Sequence, residues 1–355
     1  MRLLTIFALS LCLLQTSYSA TPKIIGGERA ESGDWPWQAA LIRRDYDLFN
    51  GQFCAGTLIH PSWVLTAGHC AEGETINSFE ILLGQSRLSN VGTGELIGVK
   101  RIIIHPDYEY GVDNPGSDIA LLQLKKPSSQ PVLRVAEPYN DLTTDGTIAT
   151  VIGWGSTRND NPVYPEDLRQ ATVPIVSNEV CNAPNSYGGE VNDTMLCAGF
   201  PAGGTDACGG DSGGPLVVET DTDWQQVGIV SWGIECALPN FYGVYTRLPL
   251  FQDFIAEHVC QDIPPTPQLE VNIEGQNATA SWHQVANAQG YQFYYAPYSN
   301  PISNVTLDNI HSFDMSQISQ LSAHLSRGTS FWVAVRAYQG NCYSDYSKIK
   351  KVIIP

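Results

Sequence analysis

The chain has 355 residues, with 19 Lys and Arg against 36 Asp and Glu, a formal charge of −17 and nine cysteines. That length exceeds what one compact domain usually needs, and 43% apolar residues allow a sizeable core and exclude a disordered chain. So acidic a protein lacks the cationic face that nucleic acid or an anionic membrane demands, and it suits cationic partners.

Residues 1–20 read as a secretory leader. Arg2 supplies its charge, residues 3–14 its apolar core, and Ser17-Tyr18-Ser19 a small-x-small cleavage pattern. The core is too short to span a bilayer, and no later apolar run of about 18 residues follows. The predicted product is secreted, extracellular or periplasmic, with no membrane span. Cys12 leaves with the leader. Cys54, Cys70, Cys181, Cys197, Cys208, Cys236, Cys260 and Cys342 remain, an even set that an oxidising compartment turns into four disulfides. Zinc is the competing use of those thiols, but no Cys-x2-Cys pair or histidine cluster accompanies them.

From Trp37 to about Arg247, short β-type runs alternate with Gly, Pro, Asn and Asp. Trp63-Val64-Leu65-Thr66 and residues 119–124, 148–152 and 227–230 are examples, and strands this short and frequent predict barrels or sandwiches. Leu250, Phe251, Phe254, Ile255 and Val259 follow helical spacing and predict one terminal helix. Residues 261–267 carry Pro264, Pro265 and Pro267 and predict an extended linker. Beyond it, Leu269/Val271/Ile273, Ala278/Ala280/Trp282, Tyr291/Phe293/Tyr295 and Phe331/Val333/Val335/Ala337 alternate, which predicts a small β-sandwich over residues 268–355. Trp282 and the aromatic run at 331–338 resemble a fibronectin type III domain. Tyr294, Tyr295 and Trp332 are expected in its core rather than on a ligand platform. Asn192, Asn277 and Asn304 open glycosylation sequons.

Three segments carry chemistry: Leu65-Thr66-Ala67-Gly68-His69-Cys70, Ser117-Asp118-Ile119-Ala120-Leu121-Leu122 and Gly209-Gly210-Asp211-Ser212-Gly213-Gly214-Pro215. A serine hydroxyl is a weak nucleophile that needs a base and a group to orient that base. His69 titrates near neutrality and suits the first task, and Asp118 suits the second. Glycine at Gly210 lets the backbone aim the N–H groups of Gly210 and Ser212 at a developing oxyanion, each donor being worth about 3 kcal/mol of barrier.

Together these motifs resemble the chymotrypsin/trypsin family of serine endopeptidases, from Ile24 to about Cys260. The resemblance implies an all-β fold of two six-stranded antiparallel barrels with the site in the cleft between them. His69 would be general base and acid, Asp118 its orienting partner and Ser212 the nucleophile. Cleavage after Lys23, removing residues 21–23, would free the Ile24 amine to pair with Asp211. Asp206 would floor the primary pocket between Gly233 and Gly243, with Ser231 in the same substrate-binding set, selecting Arg or Lys. Ala207, where relatives often carry Ser, would favour Arg. Gly209 replaces a larger residue of many relatives. Tyr242 stands where an aromatic often accompanies Na⁺ binding.

Gln85 and Gly92 replace acids of the family's calcium loop, so no metal and no cofactor is expected, although Glu95 remains. The resemblance also implies the pairs Cys54–Cys70, Cys181–Cys197 and Cys208–Cys236. Cys260 and Cys342 are left over. A bond between them would staple the terminal helix to the sandwich, the alternatives being free thiols or a link to another chain. The expected partners are protein or peptide substrates with Arg or Lys, and protein inhibitors, acting on a monomer. Activity should fall in acid as His69 protonates and in alkali as the Ile24 amine loses its charge. A silent homologue serving as a secreted binding or adhesion protein is the alternative, which loss of any one of His69, Asp118 or Ser212 would have favoured.

Overall fold

The computed structural model describes residues 24–355 apart from 91, 113–114, 139–140, 221–222, 262 and 298–309. The leader, Lys23 and the Asn304 sequon lie outside the described residues. After β1 (Glu28–Arg29), the first barrel comprises β2 (Gln38–Arg43), β3 (Gln52–His60), β4 (Trp63–Thr66), β5 (Phe79–Leu83), β6 (Glu95–Ile104) and β7 (Ala120–Leu124). It closes in the order β2-β3-β4-β7-β6-β5, with every pairing antiparallel.

The short strand β8 (Arg134–Val135) leads to the second barrel. This comprises β9 (Ile148–Gly153), β10 (Arg169–Val176), β11 (Met195–Ala198), β12 (Pro215–Glu219), β13 (Trp224–Trp232) and β14 (Gly243–Arg247). Its order is β9-β10-β11-β14-β13-β12, and β12 returns to β9. Two closed six-stranded antiparallel barrels are therefore present, as the fold expectation required. Closure leaves no free edge, so each backbone ladder is satisfied inside the protein.

Leu41, Leu58, Leu65, Phe79, Ile81, Val99 and Leu121 fill the first barrel. Val151, Val173, Leu196, Leu216, Val227 and Tyr245 fill the second. Single-turn helices α1 (Gly68–Ala71) and α2 (Asn178–Cys181) interrupt the strands. The terminal helix α3 (Gln252–Val259) follows a 3-10 turn at Leu248–Phe251. Phe251, Phe254, Ile255 and Val259 pack into the first barrel's core, but Leu250 is 53% exposed. Leu250 and Phe251 lie in the 3-10 turn, so α3 begins two residues later than the helical spacing predicts.

The C-terminal sheets use β15 (Leu269–Glu274), β16 (Asn277–Trp282), β17 (Gly290–Pro297), β18 (His311–Asp314), β19 (Gln320–His324), β20 (Ser330–Gln339), β21 (Cys342–Tyr343) and β22 (Lys350–Ile353). They form a three-stranded sheet β15-β16-β19 and a five-stranded sheet β18-β17-β20-β21, with β22 on β20. Leu269, Ala280, Trp282, Tyr291, Phe293, Val333, Val335 and Ala337 share one core, which makes this a small β unit.

The side of the larger sheet that faces away from this core lies against the barrels. The Tyr294 hydroxyl donates to Glu137 Oε2 at 2.6 Å, and Arg336 lies 3.6 Å from the same oxygen. Arg134 is ion-paired with Asp314, lies 3.2 Å from Asp223, donates to the Tyr343 hydroxyl at 3.2 Å and stacks on the Tyr338 ring. Asn341 accepts from the Val135 N–H at 2.7 Å and donates to the Ile59 and Leu133 carbonyls at 2.8 and 2.9 Å. Tyr294 therefore belongs to this contact rather than to the small core. Tyr295 packs against that core, and Trp332 is half-buried beneath the Lys351 ammonium.

Among the described residues four disulfides are present: Cys54–Cys70, Cys181–Cys197, Cys208–Cys236 and Cys260–Cys342. The last joins the end of α3 to β21. It resolves the two left-over cysteines in favour of the staple.

Candidate active site

The strand β4 ends at Thr66, and α1 places His69 one residue into its turn. Asp118 sits two residues before β7, after Ser117 adopts a left-handed φ of 51° and the Ile119 N–H closes onto the Ser117 carbonyl at 2.8 Å. That kink puts the buried Asp118 carboxylate against α1. Its Oδ1 accepts the His69 backbone N–H at 2.9 Å, and its Oδ2 accepts His69 Nδ1 at 2.8 Å. The Ser231 hydroxyl of β13 donates to the same Oδ2, and Thr246 Oγ1 of β14 donates to the Asp118 carbonyl at 2.6 Å. A side chain of the first barrel is thus held by the second.

Burial alone would lower the pKa of His69. The hydrogen bond and charge of Asp118, with the charge of Glu72, outweigh it and raise the pKa above the ordinary 6.5. With Nδ1–H committed to Asp118, the neutral ring leaves Nε2 as its basic atom. The Tyr108 hydroxyl fixes Glu72 by donating to its Oε2 at 2.7 Å.

Ser212 lies in the loop before β12, in the second barrel. The Gly209 carbonyl accepts the Ser156 N–H at 2.8 Å, and the Asp211 carbonyl accepts the Gly214 N–H at 2.9 Å. In a trans peptide the C=O and N–H point in opposite directions. Both anchored carbonyls therefore turn the N–H groups of Gly210 and Ser212 the other way, and among the described residues neither is spent on an internal hydrogen bond. Gly210 needs its φ of 99° for this path, and Gln52 Nε2 donates to its carbonyl at 2.8 Å.

Asp211 is fully buried, its oxygens accepting the N–H groups of Gly155 at 2.6 Å and Cys208 at 2.9 Å. Burial pushes its pKa up to about 6 against the pull of those two donors. No cationic side chain pairs with it among the described residues. Ile24 is equally buried, and the Asp206 N–H donates to the Ile25 carbonyl at 3.1 Å, so the start of the described chain packs beside this loop.

A cavity of about 170 Å³ opens beside Ser212, lined among others by Asp206, Ala207, Ser231, Gly233, Gly243 and Tyr245. Every substrate-binding residue singled out from the sequence lines it. The buried Asp206 carboxylate accepts the Ala237 N–H at 3.0 Å. Desolvation pushes its pKa up to about 7, opposed by the Ala237 and Ala207 N–H groups and reinforced by the charge of Asp211. Gly243 has to be glycine here, since a Cβ would sit 2.6 Å from Asp206 Oδ1. The Cys208–Cys236 bond ties the two walls together.

Known proteins place this geometry. The family model described as Trypsin matches residues 24–255. A tryptase of Mus musculus is 38% identical over 280 residues, covering 73% of this chain and all of that protein. The chain belongs to the trypsin family of serine endopeptidases. That family acts on protein substrates. Among the described residues no helix is long and apolar enough to cross a membrane.

Several residues shaping this trypsin-family site escaped sequence reasoning. Ser231 appeared only as a pocket residue, yet its hydroxyl orients Asp118. Gln52 reaches Gly210 from 158 positions away, and no local pattern marks it. The Tyr164 ring lies 3.3 Å from where a Cβ on Gly210 would be, shielding the loop. Where the resemblance implied a calcium loop, the Gln85 amide donates to the Arg87 and Leu88 carbonyls, and Glu95 accepts from Ser129 and Gln130. Cys54, His69 and Cys70 cluster, but the two sulfurs are bonded to each other rather than offered to a metal.

Proposed function

We propose that this trypsin-family protein is a secreted, zymogen-activated endopeptidase that cleaves peptide bonds after Arg and, less efficiently, Lys. The observation that carries the reading is the buried Asp206 carboxylate inside the cavity that Ser212 borders. An unpaired buried charge is costly, so the cavity favours a cationic side chain long enough to reach it. Ala207 supplies no hydroxyl for an ammonium, whereas a guanidinium fork pairs with the carboxylate directly.

With that side chain seated, Ser212 Oγ attacks the scissile carbonyl carbon while His69 Nε2 takes its proton. The carbonyl oxygen becomes an oxyanion facing the N–H groups of Gly210 and Ser212. Asp118 stabilises the imidazolium. Collapse of the tetrahedral species breaks the C–N bond, and His69 returns its proton to the departing amine. Water, deprotonated by the same imidazole, then releases the acyl group.

Activation follows from Asp211. A buried carboxylate without a cationic side chain is destabilised, and the amine freed at Ile24 by cleavage after Lys23 is the charge that would relieve it. We assign residues 1–20 to the leader, 21–23 to the propeptide, 24–260 to the protease, 261–267 to the linker and 268–355 to a fibronectin type III-like domain. The working form is a monomer open to protein inhibitors.

Peptide amides ending in Arg, Lys or Phe, presented to the Lys23-cleaved protein, test the reading against a Ser212→Ala control. Arg-led hydrolysis absent from the control is expected. Inactivity despite a confirmed Ile24 terminus would overturn it and favour the silent binding homologue.

A further inference from the structure

Two strands, one from each barrel, reach the Ser212 loop, and a residue of the C-terminal β unit ties their opposite ends together. In the first barrel, the Ala55 N–H of β3 donates to the Ser212 carbonyl at 2.7 Å, and Gln52 Nε2 donates to that of Gly210. In the second, the Val230 carbonyl of β13 accepts the Gly213 N–H at 2.9 Å, and Ser231 donates to Asp118. Away from the loop, β3 ends at Ile59 and His60, and β13 begins at Trp224. Between those ends runs β8. Its Arg134 and Val135 pair in parallel with Gln225 and Gln226 of β13, and the preceding Leu133 N–H donates to the Leu58 carbonyl of β3 at 2.9 Å. Asn341 is buried against this strand and spends its whole amide there. Nδ2 donates to the Ile59 carbonyl at 2.8 Å and the Leu133 carbonyl at 2.9 Å, and Oδ1 accepts the Val135 N–H at 2.7 Å.

The geometry points to Asn341 as a positioning residue that sets the two barrels against each other, and with them His69 against Ser212. The inference rests on the proposed roles of His69, Ser212 and Asp206. At the rise of a β-strand, roughly 13 Å separates Ile59 from Ala55 and roughly 17 Å separates Gln226 from Ser231. Strands in a closed barrel are paired on both sides and close-packed, so a shift at one end is carried along rather than absorbed. Without the amide, the Ile59 and Leu133 carbonyls and the Val135 N–H need other partners, which opens the seam between β3 and β8. Base and nucleophile lie on either side of that seam, and a misplacement of about 1 Å between reacting groups costs up to about 10²-fold in rate. The Asp206 cavity does not span it, because every residue lining the cavity lies between Asp206 and Tyr245 in the chain.

Benzamidine, an amidinium that reads the Asp206 cavity alone, separates alignment from folding in the Lys23-cleaved protein. Calorimetric titration counts folded cavities, and hydrolysis of an Arg peptide amide is then expressed per benzamidine site. In Asn341→Ala, kcat per site is expected to fall about tenfold or more, with benzamidine affinity within about twofold of the unsubstituted protein. Asn341→Ser serves the same comparison should the alanine variant not fold. An unchanged kcat per site in a variant of lowered melting temperature would make Asn341 a fastening only and overturn the inference. So would a parallel loss of benzamidine affinity, which puts the damage inside the second barrel rather than between the two. Failure of the unsubstituted protein to bind benzamidine or to hydrolyse the amide would overturn the proposed function, and this inference with it.

Discussion

Asp118 accepts from the His69 backbone, the His69 ring and Ser231, so its replacement changes the ring's tautomer before it changes the fold. Asp118→Asn is expected to lower kcat by about 10⁴-fold. Steady-state kinetics on protein shown to be folded by circular dichroism checks this. The net upward shift of His69 places the acid limb of kcat/KM above pH 6.5, because the imidazolium cannot act as base. A limb below 6.5 would mean that burial outweighs Asp118.

Asp206, pushed up to about 7 when the cavity is empty, should release a proton on binding a cation. Affinity for an arginine mimic therefore falls as pH drops below about 7, and calorimetry in buffers of different ionisation enthalpy reads the proton directly. His69, Asp118 and Ser212 were singled out because each sits in a short motif whose neighbours suit one task, and Asp206 only through its register in the family resemblance. Gln52 and Tyr164 were not, since they pack through space on Gly210, far from them in sequence.

Strands were legible wherever alternation or an apolar run lasted four residues or more. Trp63–Thr66 matches β4 in full, and the 227–230 run lies inside the longer β13. Strand ends were less visible, because hydrogen bonding to a partner extends a strand beyond its apolar residues. The two-residue strands β1, β8 and β21 leave no periodic trace and exist only as pairings. One of them matters to stability. Asn341, just before β21, satisfies Val135 of β8 and the carbonyls of Ile59 and Leu133 with one side chain. Asn341→Ala strands three buried backbone groups and should cost about 3 kcal/mol. Denaturant unfolding with an unchanged m-value would register it.

At the scale of the molecule, the C-terminal β unit is fastened to the barrels by a buried face and a covalent bond. Arg134, Glu137 and Asn341 supply the polar contacts, and Cys342 belongs to the first barrel's core cluster. The Cys260–Cys342 bond closes a separation of 82 residues, which by loop entropy contributes up to about 4 kcal/mol. Replacing both cysteines by serine should lower the melting temperature of the whole protein rather than produce a separate early transition, as differential scanning calorimetry would show. A free-standing low-temperature transition in the intact protein would contradict the fastening.

By itself the sequence determined the all-β class and supplied the cysteines that pair, and it singled out the side chains proposed to carry the chemistry. These depend on local periodicity, composition and motif spacing, which are properties of contiguous residues. Tertiary structure alone decided which barrel holds which partner, how Ser231 and Thr246 clamp Asp118, and what closes on Gly210. It also decided that Tyr294, Tyr338 and Tyr343 of the larger C-terminal sheet face the barrels, while Tyr291 and Tyr295 pack on the small core. Both faces of a strand carry the same alternation, and only the docked surface distinguishes them.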